Sequence, residues 1–178
     1  FLSLTPENYF IGQGAGAAIT TGLYNSFFGY YAGNANTTGE RNTFVGYYSG
    51  YSNTDGYSNI FIGDSAGFAN GSASYNVFLG NGTGRSNISG WSNVFIGSTT
   101  GYFNETGRRN VFVGSWCGYK NTSGNSNIFM GFKSGWNNTE GNQNVFIGTE
   151  SGLGNITGQF NVFMGDKSGY SNTSGIGN

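Results

Sequence analysis

The chain has 178 residues, enough for one domain with a sizeable core. Charged residues make up 8%, the formal net charge is −1 and histidine is absent. This excludes a long-range field for nucleic acid or acidic lipid, and every catalytic arrangement that needs an imidazole. Glycine occurs 34 times and aromatic residues make up 17%, so the chain is unlike a disordered segment and rich in corner residues.

The first seven residues, FLSLTPE, hold the single proline, Pro6. Residues 1–7 read as an N-terminal cap or as a strand exchanged with a neighbouring chain. From Asn8 onward a phrase Asn-x-Phe-apolar-Gly recurs every seventeen residues, without insertion or deletion. It opens at Asn8, Asn25, Asn42, Asn59, Asn76, Asn93, Asn110, Asn127, Asn144 and Asn161, and Asn178 begins an eleventh copy. Residues 8–178 therefore read as a single repeat domain. We number positions within each copy from 1 at this Asn.

Position 3 is Phe in every copy: Phe10, Phe27, Phe44, Phe61, Phe78, Phe95, Phe112, Phe129, Phe146 and Phe163. Position 4 is always apolar, position 8 always small and positions 5 and 9 always Gly. Position 12 is Asn except at Ile19, and position 15 is Gly except at Ala73. A fixed period of this kind is one coil of a solenoid, stacked so that like residues form columns. The run from position 1 to position 5 is β-branched and aromatic, and Gly closes it. Glycine at positions 5, 9 and 15 breaks every helical window and marks three corners. The fold expected is all-β: a parallel β-solenoid of ten coils with two or three short strands each. At ~4.8 Å per coil it would form a rod about 50 Å long.

In later copies positions 2, 3 and 4 are all large and apolar, as in Val94, Phe95 and Ile96. Alternate residues of a strand face opposite ways, so such a strand needs cover on both faces. Self-association, as a trimer or a helical filament, is the expectation.

The segments NVFIGSTT, NVFIGTES and NIFIGDSA resemble the head repeats of trimeric autotransporter adhesins. The pattern NxFIGxxSGxxNTTG is similar to repeats in bacterial and phage tail-fibre-like proteins. The resemblance covers essentially the whole chain. The family's repeat is shorter, and a small residue usually stands where this chain has Phe. The resemblance implies a left-handed β-roll, an extracellular or cell-surface location, and adhesion to matrix or surface glycans. It carries over no catalytic residue.

The residues point away from an enzyme. The eight carboxylates are scattered over different columns; Asp64 and Asp166 share position 6 but lie six coils apart. With three Asp there is no repeated calcium site, and no metal or other cofactor is expected. Cys117 stands alone at a small-residue position, which suits buried packing. The string GQGAGA from Gly12 to Ala17 looks like a phosphate loop but opens no helical segment. No apolar run is long enough to span a membrane.

Three polar or aromatic columns invite a function. Sequons start at Asn36, Asn70, Asn81, Asn87, Asn104, Asn121, Asn137, Asn155 and Asn172, and most fall at position 12. They read either as a column of N-glycans along one edge or as plain turn chemistry. Position 10 is often aromatic, and Tyr51, Tyr102, Tyr119, Trp136 and Tyr170 could stack on sugars or shield the corners. Position 13 is Thr in six copies, a broken ladder of the kind that orders water. The functional expectation is a structural or adhesive extracellular fibre subunit. The alternatives are a glycan-binding fibre segment and an ice-binding solenoid.

Overall fold

The computed structural model describes residues 2–4, as backbone, and residues 7–178. Among the described residues eleven strands of three residues form one sheet in sequence order. They are β1 (Leu2–Leu4), β2 (Tyr9–Ile11), β3 (Ser26–Phe28), β4 (Thr43–Val45), β5 (Ile60–Ile62), β6 (Val77–Leu79), β7 (Val94–Ile96), β8 (Val111–Val113), β9 (Ile128–Met130), β10 (Val145–Ile147) and β11 (Val162–Met164). From β2 to β11 all pairs are parallel and in register, so Phe95 lies between Phe78 and Phe112. The chain is a parallel β-solenoid with one strand per seventeen residues and about 9 turns. At ~4.8 Å per turn, β2 and β11 stand about 43 Å apart.

β1 runs antiparallel to β2, with Ser3 opposite Phe10. It closes the first edge of the sheet within the same chain. Phe1, Thr5 and Pro6 of the expected cap lie outside the described residues.

The expectation of two or three strands per coil is corrected to one. Among the described residues seventeen non-glycine residues have a left-handed backbone, and all stand at position 7 or 17. Thr99 (φ 53°) and Arg109 (φ 56°) are the pair in the sixth coil. An extended strand cannot pass through such a residue, so the coil turns instead. Backbone hydrogen bonds between coils continue outside the strand. Gly33 N–H donates forward to Ser49 O (2.9 Å), and Gly29 N–H donates backward to Ile11 O (2.8 Å). Each coil thus holds both neighbours without further sheet.

The interior is narrow, and position 3 fills it. The rings from Phe27 to Phe146 are fully buried, and neighbouring rings stack with centroids 4.7–5.2 Å apart. That spacing is the strand spacing itself and lies within the range for offset stacking. Opposite the rings stand the small residues of position 8. Ser hydroxyls there donate to the strand of the next coil, as Ser49 Oγ does to Phe61 O (2.9 Å), and Thr83 and Thr100 donate to the glycine that closes it, Gly97 and Gly114. Cys117 occupies the same place and makes the same contact, Sγ to Phe129 O at 3.2 Å.

Two amide ladders flank the Phe column. At position 1, Asn25 accepts at Oδ1 the backbone N–H of Asn42 (3.0 Å), and Asn42 Nδ2 donates to Gly56 O (2.8 Å). At position 12, Asn53 Nδ2 donates to Asn36 Oδ1 (2.6 Å) and to Gly56 O (3.0 Å). Buried amides are costly unless paired. Among the described residues, no buried side-chain nitrogen or oxygen lacks a partner.

Candidate functional site

The Phe column is structural. With position 3 pointing inward, positions 2 and 4 point outward, and the cover required by a strand apolar on both sides is resolved for one face only. From β5 to β11 the outer face carries Ile60, Ile62, Val77, Leu79, Val94, Ile96 and their equivalents in parallel register, while the polar Ser26 and Thr43 stand in the same column in β3 and β4. Ile60, Ile62, Ile128 and Met130 are each 40–42% exposed. The three residues of a strand span about 10 Å, so the face is on the order of 450 Å² in projection. That matches the ~300–600 Å² of the largest apolar patch on a typical monomer, a size that often marks a functional surface. No other element packs over it among the described residues.

The sequon column at position 12 is the second ladder. Asn36, Asn70, Asn87, Asn104, Asn121 and Asn155 are fully buried, and Asn172 is partly so. In each the amide nitrogen donates to the Asn of the preceding coil or to the position-15 carbonyl of its own, as Asn104 Nδ2 does to Asn87 Oδ1 (2.8 Å) and Gly107 O (3.0 Å). On the six fully buried residues a glycan on that nitrogen has no path to solvent in the folded solenoid, so burial speaks against a glycan edge there and leaves Asn172, at the last coil, partly accessible. Asn81, at position 6, is exposed. Asn137, at position 11, is half-buried and accepts a bond from Lys120 Nζ (3.0 Å).

The aromatic column lies on the surface, but its rings cover one another. Tyr51 stacks on Phe68 (5.2 Å, 11°), and Tyr119 stacks on Trp136 (4.6 Å, 21°). Tyr102 tilts against Tyr119 (5.5 Å), while Arg85 lies 4.8 Å from the Phe68 ring centre. Faces occupied in this way are closed to sugars, and edges remain outside. Tyr170 is 44% exposed and has no ring neighbour among the described residues. The hydroxyls of the broken Thr ladder are also engaged: Thr37 Oγ1 donates to Thr54 O (3.1 Å) and Thr122 Oγ1 to Thr139 O (3.1 Å). They hold coils together rather than facing water freely.

Burial pushes the Cys117 thiol far above its ordinary range, so it stays protonated and inert. Tyr57 is held above the usual phenol value chiefly by a hydrogen bond with Tyr75. No three of His, Cys, Asp and Glu gather among the described residues. Among the described residues no helix is long and apolar enough to cross a membrane. No family model, curated protein or solved structure matches the chain.

Two periodic signals carry information that the repeat phrase did not reveal. The left-handed residues at positions 7 and 17 have no common side chain, so only the backbone discloses them. Position 14 is Ser, Thr, Asp or Glu in all ten copies, from Thr21 to Ser174. That regularity was open to the eye and marks a second outward column.

Proposed function

We propose that this chain is a structural, non-catalytic subunit of an extracellular fibre, and that copies associate through the outer apolar face of the sheet. The observation that carries the reading is the outward ladder of Val, Ile, Leu and Met at positions 2 and 4 from β5 to β11. A face of this kind is stabilised when a second sheet packs on it at about 10 Å, side chains interdigitating. The interior offers no room for a ligand, since Phe rings and amide ladders fill it. The repeat then serves length and regular display. The resemblance to adhesin heads and fibre repeats supports the same reading, with a trimer as the assembly it implies.

A face-to-face pair would bury on the order of 900 Å² in total by this geometry. That falls below the ~1,200–2,000 Å² of standard stable interfaces. Association is therefore expected to depend on concentration. Negative-stain micrographs of a concentration series test it. Rods about 43 Å long that pair or bundle laterally as concentration rises support the proposal. Single rods at every concentration contradict it.

A further inference from the structure

A valley runs along the rod between the outward columns of positions 14 and 16. It exists because position 15 turns inward: a Cβ on Gly107 would collide with Asn104 Oδ1 and lie 2.6 Å from Asn121 Nδ2. Side chains therefore stand on both banks and none on the floor. Across coils five to nine the valley opens to about 610 Å³.

One bank is a row of hydroxyls from Ser89, Thr106, Ser123 and Thr157, interrupted by Glu140. None of these four hydroxyls has an intrachain hydrogen bond among the described residues, unlike the Thr hydroxyls one position earlier. The other bank begins at Trp91 and ends at Gln159. The Trp91 ring is held by Arg109, 4.6 Å from its centre, and Arg108, 5.7 Å away. Asn125 and Asn142 brace the middle of that bank, Asn125 Nδ2 donating to Asn142 Oδ1 (3.0 Å). In the fourth coil the bank is missing. There Ser74 stands at position 16, is buried, and accepts a bond from Tyr57 N–H (3.0 Å).

The chemistry of the valley selects its occupant. Arg108 and Glu140 are opposite in sign, so the banks favour neither a polyanion nor a polycation. The floor presents no free strand edge to a peptide: Thr106 N–H and Gly107 N–H both donate to Thr122 O (3.0 and 3.2 Å). Nor does it hold alternating apolar pockets for side chains. It offers unengaged hydroxyls, a planar amide and one large aromatic edge, over four coil steps or about 19 Å. We propose that the valley of coils five to nine binds a linear, uncharged polysaccharide lying along the rod axis. The hydroxyl bank exchanges hydrogen bonds with the sugar hydroxyls, and Trp91 anchors one end. This site is distinct from the stacked aromatic column and from the apolar face.

The test titrates the full chain with cellohexaose, maltohexaose and chitohexaose by calorimetry, with an uncharged Gly-Ser-Thr hexapeptide as comparison. At least one saccharide is expected to bind with Kd below ~1 mM. The outward-facing double change Thr106→Val, Ser123→Ala should weaken it about tenfold or more, and so should Trp91→Ala. Thermal melts of the double variant should be unchanged, and Trp136→Ala in the stacked column should bind as the parent does. The proposal is overturned if none of the three saccharides binds at that level. It is equally overturned if binding survives the double change, or if the peptide binds in their place.

Discussion

The ring of Phe95 occupies the space into which a side chain on Gly101 would project. A Cβ on Gly101 would fall 2.5 Å from Cε2 of that ring, and the backbone there is left-handed, φ 58°. The same relationship joins Phe112 to Gly118 and Phe129 to Gly135 in the next coils. The constant Phe and the constant Gly six residues later are thus one structural device: the corner is closed by a ring that only a bare α-carbon admits.

Gly101→Ala should therefore cost about 2–5 kcal/mol, from the left-handed penalty and overpacking together. Thr99→Gly, in the same corner, should do the opposite. Thr99 is β-branched and left-handed, and Gly14 and Gly82 already occupy its column. A gain of up to about 1 kcal/mol is expected after glycine's own entropy cost. Urea denaturation of the two variants reads both signs.

Asn104→Asp should make stability depend on pH. Asn104 Nδ2 donates twice in the interior, and a carboxylate there would face two acceptors, Asn87 Oδ1 and Gly107 O. Burial and lost donors raise the folded-state pKa of the new acid above its unfolded value. The protonated form is then favoured on folding, so stability is retained at low pH and lost as pH rises through the folded pKa. Melting curves from pH 3 to pH 8 should fall for the variant and stay nearly level for the parent.

Cys117 should be unreactive until the solenoid opens. Its thiol is fully buried and its pKa raised by burial. An unfolded thiol ionises near pH 8.5, so folding loses stability above that value, by ~2 kcal/mol at about pH 10. Maleimide labelling should track unfolding, and Cys117→Ala should remove this part of the alkaline slope. Ala already fills the same position as Ala32 and Ala66, both buried.

The coil period, the strand register and the Phe column were legible because stacking forbids insertions and forces like residues into line. The direction of the Phe was not, since Val94, Phe95 and Ile96 are all apolar and alternation is silent. The answer lay a few residues on: only a ring that points toward an invariant small residue and an invariant Gly explains both. The Asn of position 12 was ambiguous for a related reason. Asn121-Thr122-Ser123 satisfies a sequon, a turn and a ladder alike, and burial alone separates them. The single strand per coil was hidden by the variety at positions 7 and 17, where Arg, Tyr, Ser, Lys and Trp all take the left-handed turn.

The proposed assembly depends on the outer apolar face joining copies of the chain. Sedimentation equilibrium of the parent and of the triple variant Ile62→Lys, Ile96→Lys, Ile128→Lys tests it most directly. These three side chains point outward and are 37–42% exposed, so the solenoid should survive their replacement. The mass is expected to rise with concentration for the parent and to stay at 18.8 kDa for the variant. A parent that remains at 18.8 kDa throughout, or a folded variant that associates as the parent does, would contradict that assembly.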